Sequence, residues 1–150
     1  MRKTITIIVI FIGIVVLGVL GIFELKTENT ENSKYVEYQT ERGNIIRLET
    51  PRSNDTIKSP LVIKGEAPGI WFFEASFPVT LVNWDGLIIT ESYATAKGEW
   101  MTTDYVPFTA TLEFETPTYK NNGALILQRD NPSDLPENDD SLEIPILFSE

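Results

Sequence analysis

The apolar positions of this chain repeat in three ways along its length. Residues 5–23 form an unbroken apolar run relieved only by Thr6 and three glycines. Residues 24–44 are polar and charged, with hardly an aliphatic side chain to bury. From Ile45 onward, short runs of β-branched and aromatic residues are punctuated by Pro, Gly, Asn and Asp. Their period is two rather than 3.6. In residues 108–115, Phe108, Ala110, Leu112 and Phe114 alternate with threonines and glutamates, the pattern of a half-buried strand. Residues 142–148 repeat it with Leu142, Ile144, Ile146 and Phe148 on one face, and Pro145, which lacks a ladder donor, places that strand at an edge or a bulge.

The same reading predicts strands over residues 45–49, 61–65, 71–83, 87–93 and 124–129, with a short one over 100–103. The breaks between them carry turn chemistry, with Asp85-Gly86 the strongest hairpin signal. About seven short strands without an amphipathic helix indicate an antiparallel two-sheet β-sandwich. The expected organisation is an N-terminal membrane segment over residues 1–23, a polar stalk over 24–44 and one domain over 45–150.

The stretch GIWFFEASFPV, residues 69–79, is divided by the period of two. Trp71, Phe73 and Phe77 share an inward face with Val79 and Leu81 and are expected in the core. Phe72, Glu74 and Ser76 fall on the other face as a candidate contact patch. Glu74 is there an ordinary solvated carboxylate, or one that meets a partner's donor. Trp100, Phe108 and Phe114 are expected in the core. Trp84, before the tight Asp-Gly turn, either caps the core or stands exposed as a partner anchor.

The nineteen residues of the apolar run reach about 28 Å as a helix, close to the thickness of a bilayer's hydrocarbon core. Arg2 and Lys3 precede it and Glu24 follows it, which orients the N-terminus to the cytoplasm and exports the rest. A cleaved signal peptide is the alternative, although the run exceeds the usual length of a signal peptide's apolar region. The chain has no cysteine and no histidine, which removes disulfides, thiolate catalysis, lipidation through cysteine and the commonest general base and zinc ligand. Its formal charge is −10, and since residues 1–44 carry five cations and five carboxylates, the excess belongs to residues 45–150. Such a domain repels nucleic acid and anionic headgroups.

Four ordered blocks of the chain carry a resemblance: SPLVIKGEA (residues 59–67), GIWFFEASFPV (69–79), GEWMTTDYVPF (98–108) and NPSDLPEND (131–139). Together they resemble the immunoglobulin-like domain of bacterial spore germination, the second of the two Gmad domain types. The resemblance implies an immunoglobulin-like sandwich in an exported or envelope-associated module that binds rather than catalyses, and it brings no catalytic residues.

The acidic loop of residues 130–140 offers oxygen ligands but lacks the glycine and twelfth-position glutamate of an EF-hand, so it reads as a solvated loop, and no metal or cofactor is expected. A glycosidase-like pair of Glu74 with Glu99 is the sole enzymatic alternative. The sequence therefore leads to a non-enzymatic, membrane-anchored extracytoplasmic module with an envelope protein as its expected partner. Recognition of cell-wall carbohydrate or peptidoglycan is the alternative within binding.

Overall fold

A computed structural model describes residues 33–149. The apolar run of residues 5–23 lies outside them, and among the described residues no helix is long and apolar enough to cross a membrane. The described residues form one compact unit. Its strands in chain order are β1 Val36–Gln39, β2 Ile45–Thr50, β3 Thr56–Ile57, β4 Leu61–Pro68, β5 Ser76–Asn83, β6 Ile88–Ala96, β7 Tyr105–Leu112, β8 Asn122–Gln128 and β9 Ser141–Phe148. A 3-10 turn at Gly69–Trp71 precedes β5, and another at Pro136–Asn138 precedes β9.

The strands form one curled sheet in the order β1-β2-β4-β7-β6-β5-β8-β9-β3. All pairings are antiparallel except that of β3 with β9. β6 and β7 meet only through Thr95↔Thr109 and Ala96↔Phe108. At that corner the sheet folds over on itself, so β1-β2-β4-β7 faces β6-β5-β8-β9-β3 as a sandwich. The alternation read from the sequence fills the space between them. Phe108, Ala110 and Leu112 of β7 and Leu142, Ile144, Ile146 and Phe148 of β9 are all buried. Phe77 on β5 meets Phe108 on β7 edge to face at 5.0 Å, joining the two layers. Phe108 in turn lies over Gly65 of β4, where an added Cβ would come within 2.8 Å of the ring.

Two strands were not foreseen. β1 falls within the expected polar stalk, yet Val36, Glu37, Tyr38 and Gln39 pair in register with Leu48, Arg47, Ile46 and Ile45. Its alternation is partly hidden because an edge strand buries little on either face. On the exposed side Arg47 reaches Glu37 at 2.9 Å and Glu66 at 3.5 Å, and its guanidinium lies 3.8 Å from the centre of the Tyr105 ring. β3 is too short to show a period. It covers β9 only at Leu147 and Phe148, so Pro145, opposite Ala124 and upstream of that pairing, stands where no outer strand needs its missing N–H. The expected strand over residues 100–103 is a loop, and the strand expected over 71–83 begins only at Ser76.

The register places every connection at one of two ends. The near end, where the described chain begins at Ser33, holds the connection of residues 51–60, the β5–β6 turn and the connection of residues 113–121. The far end holds the β1–β2 turn, the segment of residues 69–75, the loop of residues 97–104 and the loop of residues 129–140. The carboxylates are divided unequally between them: nine against three cations at the far end, and, with Lys34 counted, four against four at the near end.

Candidate interaction site

The far end is built around residues 69–76, and its local geometry departs from the strand pattern. Gly69 lets the backbone approach the neighbouring loop so closely that an added Cβ would lie 2.0 Å from the Thr102 carbonyl oxygen. Its N–H donates to the Asp104 carbonyl at 3.1 Å, and the chain then turns through Gly69–Trp71. The opposite side is strapped by the loop after β8. Arg129 Nε donates to the Ile70 carbonyl at 3.1 Å, and the Asp130 N–H donates to the Trp71 carbonyl at 3.1 Å.

The 3-10 turn breaks the period of two, and this exchanges the fates of two adjacent phenylalanines. Phe72, placed by the sequence on the contact face, is 4% exposed and packs edge to face on Phe77 at 5.1 Å. Phe73, expected in the core, is 42% exposed. Trp71 and Phe77 are buried and lie edge to face at 5.6 Å. Of the three core assignments from this stretch, Trp71 and Phe77 are buried and Phe73 is not, and Phe72 is withdrawn from the contact patch.

Between Phe73 and Ser76 lies a two-residue turn, closed by Phe73 N–H to Ser76 carbonyl at 3.0 Å and the reverse bond at 3.1 Å. Glu74 and Ala75 at its tip have φ of 49° and 65°. Both are left-handed, the geometry that Asn-Gly adopts without strain and that a side chain with Cβ adopts at a cost of about 1 kcal/mol or more. The indole N–H of Trp71, buried, meets no acceptor among the described residues. Two left-handed non-glycine residues, an unpaired indole and an exposed phenylalanine thus fall within six residues. Strained backbone of this kind clusters at ligand clamps and other functional sites.

Just before this turn a shallow groove separates Ile70, half exposed, and Phe72 from the loop with Trp100 and Met101, the latter 74% exposed. Trp100 is half-buried against the core. Glu99 accepts from the Met101 N–H at 2.9 Å and so fixes that loop. The carboxylates sit close together: burial first, and the Glu74 charge second, hold the Asp130 carboxyl above its ordinary range, partly offset by a backbone hydrogen bond at Asn131. Of the expected contact residues, Glu74 is exposed and Ser76 half-buried with its N–H spent in the turn. Ile70, Met101 and Asp130 were missed, since nothing in their local sequence shows that three separate loops converge.

Trp84 lies at the opposite, near end, apart from the other contact candidates. It is 38% exposed and meets Tyr119 edge to face at 5.6 Å, and Lys120 Nζ stands 3.7 Å above its ring. Asn83 shapes its hairpin by accepting from the N–H groups of Asp85 at 2.9 Å and Leu87 at 3.0 Å. Phe114 is half-buried and reaches Phe148 edge to face at 5.8 Å, beyond the end of β7. Among the described residues no group of three acidic side chains converges as a metal site.

No curated protein matches the chain. The family model Gmad2, the immunoglobulin-like domain of bacterial spore germination, matches residues 45–135. The matched span runs from β2 into the loop before β9 and takes in the whole strained segment of the far end. The sandwich, its corner at β6–β7 and the extent of that match agree: the chain belongs to the Gmad2 family of immunoglobulin-like domains of bacterial spore germination.

Proposed function

We propose that this protein is a binding module of the bacterial cell envelope, held by its N-terminal apolar segment in the membrane with the sandwich outside the cytoplasm, and that it engages an envelope protein through its far end. The family is a non-catalytic domain type, which favours binding over the Glu74–Glu99 hydrolase reading. The observation that carries the proposal is the exposure of Ile70, Phe73 and Met101 on two far-end loops that meet at Gly69 and Thr102, next to the strained turn at Glu74. An apolar centre with a carboxylate rim fits a partner with an apolar patch ringed by Lys or Arg. Apolar burial would supply affinity, and the rim would supply the rate and selectivity of encounter.

A photo-crosslinking residue introduced in cells at Phe73 or Met101 is expected to capture a discrete envelope protein. The same residue at Thr111, on the exposed face of β7, is expected to capture none. Equal capture from both positions, or none from Phe73 and Met101, would sink the assignment of the far end. The glycan reading draws on exposed Trp84, but Lys120 already covers one face of that ring. Retention of the protein by purified cell wall, and not by membrane-protein extract, would reverse this preference.

A further inference from the structure

We infer that the near end of the sandwich rests on the lipid headgroups, with Trp84, Tyr119 and Lys120 as its interfacial contacts. The inference deepens the proposed membrane anchoring and depends on it. Ser33 lies at the near end, where Arg52 Nη2 donates to its carbonyl at 3.4 Å and Lys34 meets Glu49 at 3.3 Å. Nine residues, 24–32, separate the apolar run from Ser33. The covalent geometry of nine residues limits their reach to about 31 Å. An anchored chain therefore keeps the near end within a short distance of the headgroups, and a contact too weak to form between free partners forms here at high effective concentration.

The near end carries the chemistry that this position favours. Tyr119 is 67% exposed, Trp84 is packed against it, and both present an aromatic body with a polar tip, the side chains that collect at the membrane–water boundary. Leu87 and Ile88 are exposed on the same hairpin as Trp84. Lys120 is held over the Trp84 ring and forms no ion pair among the described residues, so its ammonium can reach lipid phosphate. Charge selects the same orientation. The far end, with three times as many carboxylates as cations, is repelled by an anionic leaflet, whereas the near end is balanced.

The full chain reconstituted into vesicles of phosphatidylcholine and phosphatidylglycerol, with and without bromine on the acyl chains close to the headgroup, tests this. Flotation of the protein with the vesicles after alkaline carbonate washing reads anchoring separately. Trp71 is buried and Trp100 is at the far end, so bromine quenching is expected in the wild type and lost in W84F, with the thermal transition unchanged. Lys120→Glu is expected to weaken quenching without affecting flotation. Flotation with no difference in quenching between wild type and W84F overturns the headgroup contact and leaves anchoring standing. Failure to float overturns both. Protection of Trp84 by soluble glycan strands, with no effect of brominated lipid, assigns the patch to carbohydrate instead and also overturns the inference.

Discussion

Thr40 donates its hydroxyl to the Asp140 carboxylate at 2.7 Å, and both residues are buried although one hundred positions separate them. Asp140 also accepts from Asn44 Nδ2 at 2.7 Å and from the Arg42 N–H at 3.1 Å. Arg42 continues the link by donating Nη2 to the Pro136 carbonyl at 2.7 Å. The turn that ends β1 is thereby locked to the loop that starts β9. Replacing Asp140 with alanine strands three donors, two of them neutral side-chain groups. A loss of about 2–4 kcal/mol is expected, read as a lowered midpoint in urea unfolding.

The exchange of Phe72 and Phe73 predicts opposite outcomes for neighbouring substitutions. Phe72→Ala empties a site beside Phe77 and should cost about 3–5 kcal/mol. Phe73→Ala should change stability by no more than about 0.5 kcal/mol and abolish partner capture. Equal destabilisation by the two would refute the assignment of Phe73 to the surface.

Strain at the tip can be relieved by giving the turn the residues its geometry favours. Glu74→Asn with Ala75→Gly replaces two left-handed residues bearing ordinary side chains with the Asn-Gly pair suited to such a turn. The double variant should be more stable by about 1 kcal/mol, measured by thermal unfolding. It should also bind its partner less well, because the Glu74 carboxylate is gone. A variant that is stabilised and binds unchanged would separate the strain from the function.

Asp130 supplies a prediction with a definite sign. Its folded-state carboxyl is raised, mainly by burial and then by Glu74, so the folded protein holds that proton more tightly than the unfolded chain does. At neutral pH its ionised form therefore subtracts from stability, and this loss fades as pH falls through the folded value. Asp130→Asn should stabilise more at about pH 7 than at about pH 4. Glu74→Gln should lower the Asp130 value in an NMR titration without restoring it fully, because burial is the larger cause.

The Phe108 ring over Gly65 leaves no room for a methyl group, and the Arg47 carbonyl closes the other side at 2.3 Å from an added Cβ. Gly65→Ala should cost about 1–3 kcal/mol through displacement of β2 or of the ring. Circular dichroism melts would read it directly.

The sandwich was legible where one face of a strand is dry. β7 and β9 alternate because each has one buried face, and Phe108 and Ile144 follow directly from that. β1 was not legible, since an edge strand gains its stability from ladder bonds and the Asp140 lock, neither of which leaves an apolar period. In the strand expected over residues 71–83, the period of two persists in the letters through Trp71, Phe73 and Phe77. A 3-10 turn at Gly69–Trp71 and a left-handed pair at Glu74 and Ala75 interrupt it in the chain. Gly69 was the available signal, but the need for it comes from the Thr102 carbonyl, thirty-three positions away. The meeting of Ile70 and Met101 across one groove is likewise a property of the register and not of any short stretch.

β1 also determines how the domain would bear tension. It runs from the near end toward the far end, so a pull from the membrane on the residues before Val36 acts along the strand axis. The four register pairs with β2 would then resist sliding together rather than parting one after another, with the Thr40–Asp140 bond as a stop beyond the last pair. A partner held at the far end and an anchor at the near end would load the module in its stiffest direction. Under the proposed anchoring, four residues that read as tether would serve as a shear clamp.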